Sequence, residues 1–194
     1  MKIGKRFNMY KKNVHSLVLS GMLAVIALLL SFFSFAVPFL PPFLKFDFTF
    51  IPLFMAILLL GYKEALVVSL LKNFLHFALV SHEPVGAVAN IAVEFIFLSI
   101  IILVYKKGVF KIIIGGIVAT IAITLFMALF NYFVLLPAYG YIMNLGDIVK
   151  NIKTIVSVGI IPFNLIKGAL VTFLFFVTKR VYKSIPASIK TRFA

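Results

Sequence analysis

Six apolar runs, at residues 17–37, 48–60, 65–80, 85–104, 112–135 and 155–177, take up most of this sequence. A helix of about 20 such residues crosses the hydrocarbon core of a bilayer. Inside that core every backbone N–H and C=O must be satisfied within the protein, so a lone apolar segment has to be helical. The 194 residues are 63% hydrophobic and only 12% charged, with 23 phenylalanines. One soluble core of this size cannot hide so much apolar surface. The pattern predicts an all-α integral membrane protein, a single transmembrane domain over residues 1–194 with six transmembrane helices. It excludes a soluble enzyme and a disordered chain. The absence of cysteine also excludes disulfide modules, thiolate metal sites and cysteine nucleophiles.

The run at 17–37 exceeds the h-region of a signal peptide, about 7–15 residues, and reads as an uncleaved first span. Prolines at 38, 41 and 42 break it. The run at 48–60 is the shortest, and the run at 112–135 is expected to stop at Pro137.

Charge orients the spans. Nineteen Lys and Arg face five Asp and Glu. With six spans, fourteen of the nineteen fall on one side: both terminal tails, Lys63, Lys106, Lys107 and Lys111. Lys45, Lys150 and Lys153 fall on the other, and Lys72 and Lys167 lie within spans. The positive-inside rule then puts both termini in the cytoplasm. It also accounts for a basic balance that would otherwise suggest nucleic acid, for which no polar stretch is long enough to fold a binding surface. The partner implied is the lipid bilayer, not nucleic acid.

Polar side chains inside spans cost several kcal/mol unless they are paired or face a cavity. Here they are Lys72, Asn73 and His76 in the third span, Asn90 and Glu94 in the fourth, Asn131 in the fifth, and Asn164 and Lys167 in the sixth. Asn90 and Glu94 are i,i+4 and Asn164 and Lys167 are i,i+3, so each pair shares a helix face. Asn90, Glu94, Asn131, Asn164 and Lys167 all lie toward the outer ends of their helices. They predict an outer-side, amide-rich pocket with one acid and one base, suited to a neutral, planar, polar molecule. The proline-rich first loop and the 138–153 connection are candidate lids. The bland alternative makes Glu94–Lys167 a salt bridge and the asparagines interhelical glue. Lys72 has four options: snorkelling, pairing with Glu94, pairing with Glu64, or touching the ligand. His76 reads as a packing residue.

Enzyme signatures are missing. The sequence has no H-E-x-x-H, no G-x-S-x-G and no phosphate-binding G-x-x-x-x-G-K-[ST]. Histidines 15, 76 and 82 are too scattered for a metal set. On the first span Ser16, Ser20 and Ala24 recur every four residues, which suits close helix approach, either by a partner or within the chain.

Five stretches together carry a family resemblance. They are Pro41-Pro42-Phe43-Leu44-Lys45-Phe46-Asp47, Leu71-Lys72-Asn73, Pro84-Val85-Gly86-Ala87-Val88-Ala89-Asn90, Asn131-Tyr132 with Leu136-Pro137-Ala138-Tyr139, and Ile161-Pro162-Phe163-Asn164-Leu165-Ile166-Lys167-Gly168. In this order they resemble the riboflavin-specific substrate-binding (S) component of energy-coupling factor transporters. The resemblance implies six helices in a bacterial cell membrane and riboflavin as transported substrate rather than cofactor. It also implies assembly with a transmembrane coupling subunit and two cytoplasmic ATPases. The Ala-x-x-x-Ala docking motif of such components stands here as Ser20-x-x-x-Ala24. On this reading Asn131 and Asn164 read polar edges of the ligand, and Lys167 donates to a carbonyl or ring nitrogen. Glu94 accepts from ribityl hydroxyls or the imide N–H and holds Lys167, while Leu44, Phe46 and Tyr132 pack on the ring. The competing readings are an S component for another small vitamin, an intramembrane enzyme using Glu94 or His76, and a structural membrane protein.

Overall fold

A computed structural model describes residues 2–36, 38, 40, 44–142, 150–188 and 190, with the side chains of 2–13, 139 and 142 left out. The described residues are almost all helical. Helix α1 (Lys2–Ser31) takes in the basic N-terminal segment and ends before the expected limit of the first span. The strands β1 (Phe35–Ala36) and β2 (Lys45–Phe46) then pair antiparallel, Phe35 opposite Phe46. Helix α2 (Phe50–Leu59) follows, then α3 (Tyr62–His76), α4 (Pro84–Val104) and α5 (Val109–Phe130). Among the described residues α6 (Leu136–Ile142), α7 (Ile152–Thr154) and α8 (Ile161–Ser184) come next.

Among the described residues five helices are long and apolar enough to cross a membrane: Val14–Ser31, Tyr62–Ser81, Pro84–Val104, Val109–Ala138 and Ile152–Ser184. Helix α2 is the exception. Its ten residues reach about 15 Å, half a hydrocarbon core. It compensates by burial: Phe50, Pro52, Leu53, Phe54, Ala56 and Ile57 all face protein, packed among α1, α3 and α8. Phe50, Phe54, Phe97 and Phe175 form an aromatic cluster around it, with successive ring centroids 5.0–6.1 Å apart. Gly61, at φ 128°, allows the tight reversal into α3 that a side chain would strain.

Two long helices run through a proline. Each proline lacks an N–H and would clash with the carbonyl four residues earlier. The backbone answers by widening into π-turns at Asn131–Leu135, just before Pro137, and Ile155–Ile160, just before Pro162. The closing bonds reach back five residues, Leu136 N–H to the Asn131 carbonyl and Ile161 N–H to that of Val156. This is why the fifth span does not stop at Pro137 as expected but continues to Ile142. A third π-turn, Phe77–Ser81, ends α3 before the left-handed His82.

Ser20 and Ala24 were candidates for partner docking. Both are 1% exposed, on the face of α1 that packs against α2 and α3. Small residues sit where backbones approach most closely, and here that approach is within the chain. The opposite face of α1, with Leu17, Val18, Met22 and Val25, is exposed and lipid-compatible.

Deep in the bundle α5 and α8 interlock through glycine and threonine. A Cβ on Gly116 would lie 2.4 Å from Thr172 Cγ2, and one on Gly168 would lie 2.3 Å from Thr120 Oγ1. We expect Gly116→Ala to destabilise the protein by about 1–3 kcal/mol through overpacking. Adding Thr172→Ala should restore much of the loss. Thermal unfolding of the detergent-purified variants measures both effects.

Candidate functional site

The helices alternate in direction, so β1–β2 and the three π-turns share one end of the bundle, opposite the ends of α1 and α8 that lead to the termini. At this end lies a cavity partly open to the surroundings, enclosing about 540 Å³ when the open solvent at its mouth is counted. Leu44 and Lys45 border it from the hairpin, and Gly86, Ala89, Asn90 and Val93 from α4. Met127, Asn131 and Leu135 come from α5 and its π-turn, Ile160 from the π-turn before α8, and Phe163, Asn164 and Lys167 from the start of α8. The lining mixes apolar walls with a few converging polar groups, as small-molecule sites do.

The amides are held in a way that leaves bonding capacity for a ligand. Asn131 Nδ2 donates to the Met127 carbonyl at 2.8 Å, and Asn164 Nδ2 donates to the Ile160 carbonyl at 2.8 Å. Each asparagine spends one N–H on its own helix, which fixes its rotamer. Among the described residues the second N–H and the carbonyl oxygen of each have no other partner, which leaves them for whatever fills the space. Lys167 Nζ lies 5.6 Å from the centroid of the Phe163 ring, within reach of a cation–π interaction. Behind that ring Phe46 stacks at 4.8 Å with planes 19° apart, pinning the hairpin to α8.

Leu44, Asn90, Asn131, Asn164 and Lys167 therefore border one cavity. Phe46 supports it from behind Phe163 rather than lining it. Tyr132 follows Asn131 but does not border the space; its ring packs edge-on against Phe133 at 4.9 Å.

Glu94 is the main correction. Its carboxylate does not reach Lys167 or the cavity. It forms a buried ion pair with Lys72, accepts from Ser69 Oγ at 2.6 Å and from Asn73 Nδ2 at 2.8 Å. Asn73 also donates to the Ser69 carbonyl at 2.9 Å. Glu94 thus ties α4 to α3, and of the options for Lys72 the Glu94 pair is realised. Ser69 and Asn73 share the α3 face of Lys72, and that spacing was the missed signal. The same holds for the cavity: Gly86 and Val93 flank Asn90, and Met127 and Leu135 flank Asn131, at three- or four-residue steps. The proline-rich loop at 37, 39 and 41–43 and the connection at 143–149, both expected as lids, lie outside the described residues.

Outside the spans, Asp47 follows the hairpin. Its Oδ1 accepts from the Thr49 N–H at 2.9 Å and the Thr49 hydroxyl at 2.5 Å. Burial pushes its carboxyl up, but the charges of Lys167 and Lys72 and the two Thr49 bonds outweigh this and hold it below the usual range. Among the described residues no cluster of His, Asp and Glu could hold a metal.

The family model for the substrate-specific component of ECF transporters matches residues 15–178. This chain belongs to that family. It is 40% identical over 166 residues to a riboflavin transporter, RibU, of Staphylococcus aureus (strain TCH60), covering 84% of this chain and 88% of that one. It is 35% identical over 170 residues to a riboflavin transporter, FmnP, of Bacillus subtilis (strain 168), with the same coverage. A solved S component of a bacterial ECF transporter superposes with a TM-score of 0.74 at 36% identity, covering 87% of this chain and 95% of that one. An S component is part of a transporter rather than a catalyst, which replaces the reading of Glu94 as an intramembrane acid–base group.

Removing one member of a buried ion pair strands the other. Glu94→Gln in this S component should therefore cost about 3–5 kcal/mol. The double variant Glu94→Gln, Lys72→Met should recover a large part of that. Unfolding midpoints of the two variants and the parent test it.

Proposed function

We propose that this chain captures riboflavin at the outer face of a bacterial cell membrane and serves as the S component of an ATP-driven ECF importer. In this reading the five long helices and α2 make six membrane segments, with both termini in the cytoplasm. The fourteen-to-three distribution of Lys and Arg supports that orientation. A transmembrane coupling subunit and two cytoplasmic ATPases would supply the energy, since the sequence has no phosphate-binding loop of its own.

One observation carries the choice of ligand: Asn131, Asn164 and Lys167 present spare hydrogen-bonding capacity into a single cavity otherwise walled by Val93, Met127, Leu135, Ile160 and Phe163. The isoalloxazine ring of riboflavin is flat and apolar on its faces. Its imide edge alternates two acceptors with one donor. A carboxamide offers both a donor and an acceptor to such an edge, and an ammonium adds a donor for a ring carbonyl or nitrogen. The aromatic and thioether side chains suit the ring faces. The names of the relatives point to the same ligand.

The purified protein should be yellow or should quench riboflavin fluorescence on titration. Asn164→Ala and Lys167→Ala should each weaken binding by about 1–3 kcal/mol, the cost of leaving a buried ligand group unpaired. A colourless protein that leaves riboflavin fluorescence unchanged, or one that prefers another vitamin in competition, overturns the reading.

A further inference from the structure

The described lining of the cavity contains two amines, Lys45 and Lys167, and no carboxylate. Left at that, the cavity would favour an anion, yet riboflavin is uncharged. Something near the site must offset the positive charge. Lys45 is exposed, so solvent screens it. Lys72 is already neutralised by Glu94 in their buried pair. Lys167 is different: it is buried, and Glu94 is spent elsewhere.

Asp47 is placed to act on Lys167. It directly follows Phe46, whose ring stacks on Phe163 at 4.8 Å, and the ammonium of Lys167 lies 5.6 Å from the centroid of that same Phe163 ring. The carboxylate is held in place, because Thr49 donates to Oδ1 from both its backbone and its hydroxyl, and Thr49 itself is 1% exposed. The mutual influence of Asp47 and Lys167 appears in the lowered affinity of Asp47 for its proton.

We infer that Asp47 is a specificity-determining residue that acts through Lys167, balancing its charge so that the cavity accepts an uncharged flavin and discriminates against a phosphorylated one. Asp47 need not touch the ligand. It stands as the fixed negative charge against which any incoming anion is compared. Because the hairpin carries both Asp47 and the cavity-lining Leu44 and Lys45, the selection is built into the segment that borders the opening.

The inference rests on the riboflavin reading, and the test separates the two. The full-length protein in detergent is titrated with riboflavin and with riboflavin 5′-phosphate, each followed by fluorescence quenching at one fixed ionic strength. The parent should prefer riboflavin. Asp47→Asn should shift the affinity ratio toward the phosphate by roughly tenfold or more, the size expected for losing one nearby charge in a poorly solvated site. Asp47→Glu should keep the parental ratio. If the Asn variant fails to fold, Asp47→Ser serves, since its hydroxyl can still accept from the Thr49 amide. A structural role alone would weaken both ligands equally. An unchanged ratio in the neutral variant therefore overturns the inference while leaving riboflavin capture intact. A parent that binds no flavin overturns both.

Discussion

Hydrocarbon offers no hydrogen bonds, so each polar group inside this bundle must find its partner within the protein or keep it for a ligand. The polar side chains divide along that line. Thr120, Thr124, Thr172 and Thr178 each donate to the carbonyl four residues earlier on their own helix. Lys72, Ser69 and Asn73 close around Glu94. Asn131 and Asn164 are satisfied only in part, and Lys167 leans on an aromatic ring. Among the described residues these partly satisfied groups converge on the cavity, and the buried Ser20 hydroxyl on α1, which has no partner, is the exception. Polarity that the protein does not consume marks the place where a ligand completes the account.

The same division runs along the bundle axis. At the level of Gly116 and Gly168, α5 and α8 approach so closely that no Cβ fits between them. Toward the other end both helices meet a proline and widen into π-turns, and the space opens. A π-turn rotates the residues that follow it relative to a regular α-helix and frees local backbone geometry, which is why such turns recur at functional sites. Asn131 opens one of these turns and Ile160 closes another, both at the cavity wall. Tight packing at one end holds the helices in register, so the open end can keep its polar groups apart without collapse.

Much of this was legible in the sequence. Apolar run lengths located the long helices, and the rarity of intramembrane amides singled out Asn90, Asn131 and Asn164. What could not be read was direction. Glu94 and Asn90 share a face by spacing, yet the ion pair with Lys72 turns Glu94 toward α3. Spacing gives the face of a helix, not which neighbouring helix a long side chain reaches. Ser20 and Ala24 illustrate the same gap, because a small-residue stripe records close approach without naming the neighbour. Proline misled for a different reason. In isolation Pro137 terminates a helix, but in lipid the cost of exposing backbone groups favours absorbing it into a wider turn that keeps the helix unbroken.

A cavity that holds its ligand by several buried bonds poses a problem of release. Affinity that captures a scarce molecule at one face also retains it at the other, unless the protein has a second state with weaker contacts. A ligand shifts such an equilibrium only by its differential affinity for the two states. Riboflavin would therefore stabilise the capturing state and could not drive its own release. The sequence supplies no nucleotide site to do so. Within the riboflavin reading, the energy must enter through contacts with another protein that favour the weaker-binding state. The exposed apolar flank of α1 is one of several faces this fold leaves uncommitted to its own core. The hairpin is where a change of state would matter most, since Leu44, Lys45, Phe46 and Asp47 bring lining, support and charge balance to the site on a segment held by two-residue strands and one aromatic stack. Loosening that stack would remove the support behind Phe163 and carry the Asp47 carboxylate with it, so one short segment joins the wall of the cavity to its charge balance.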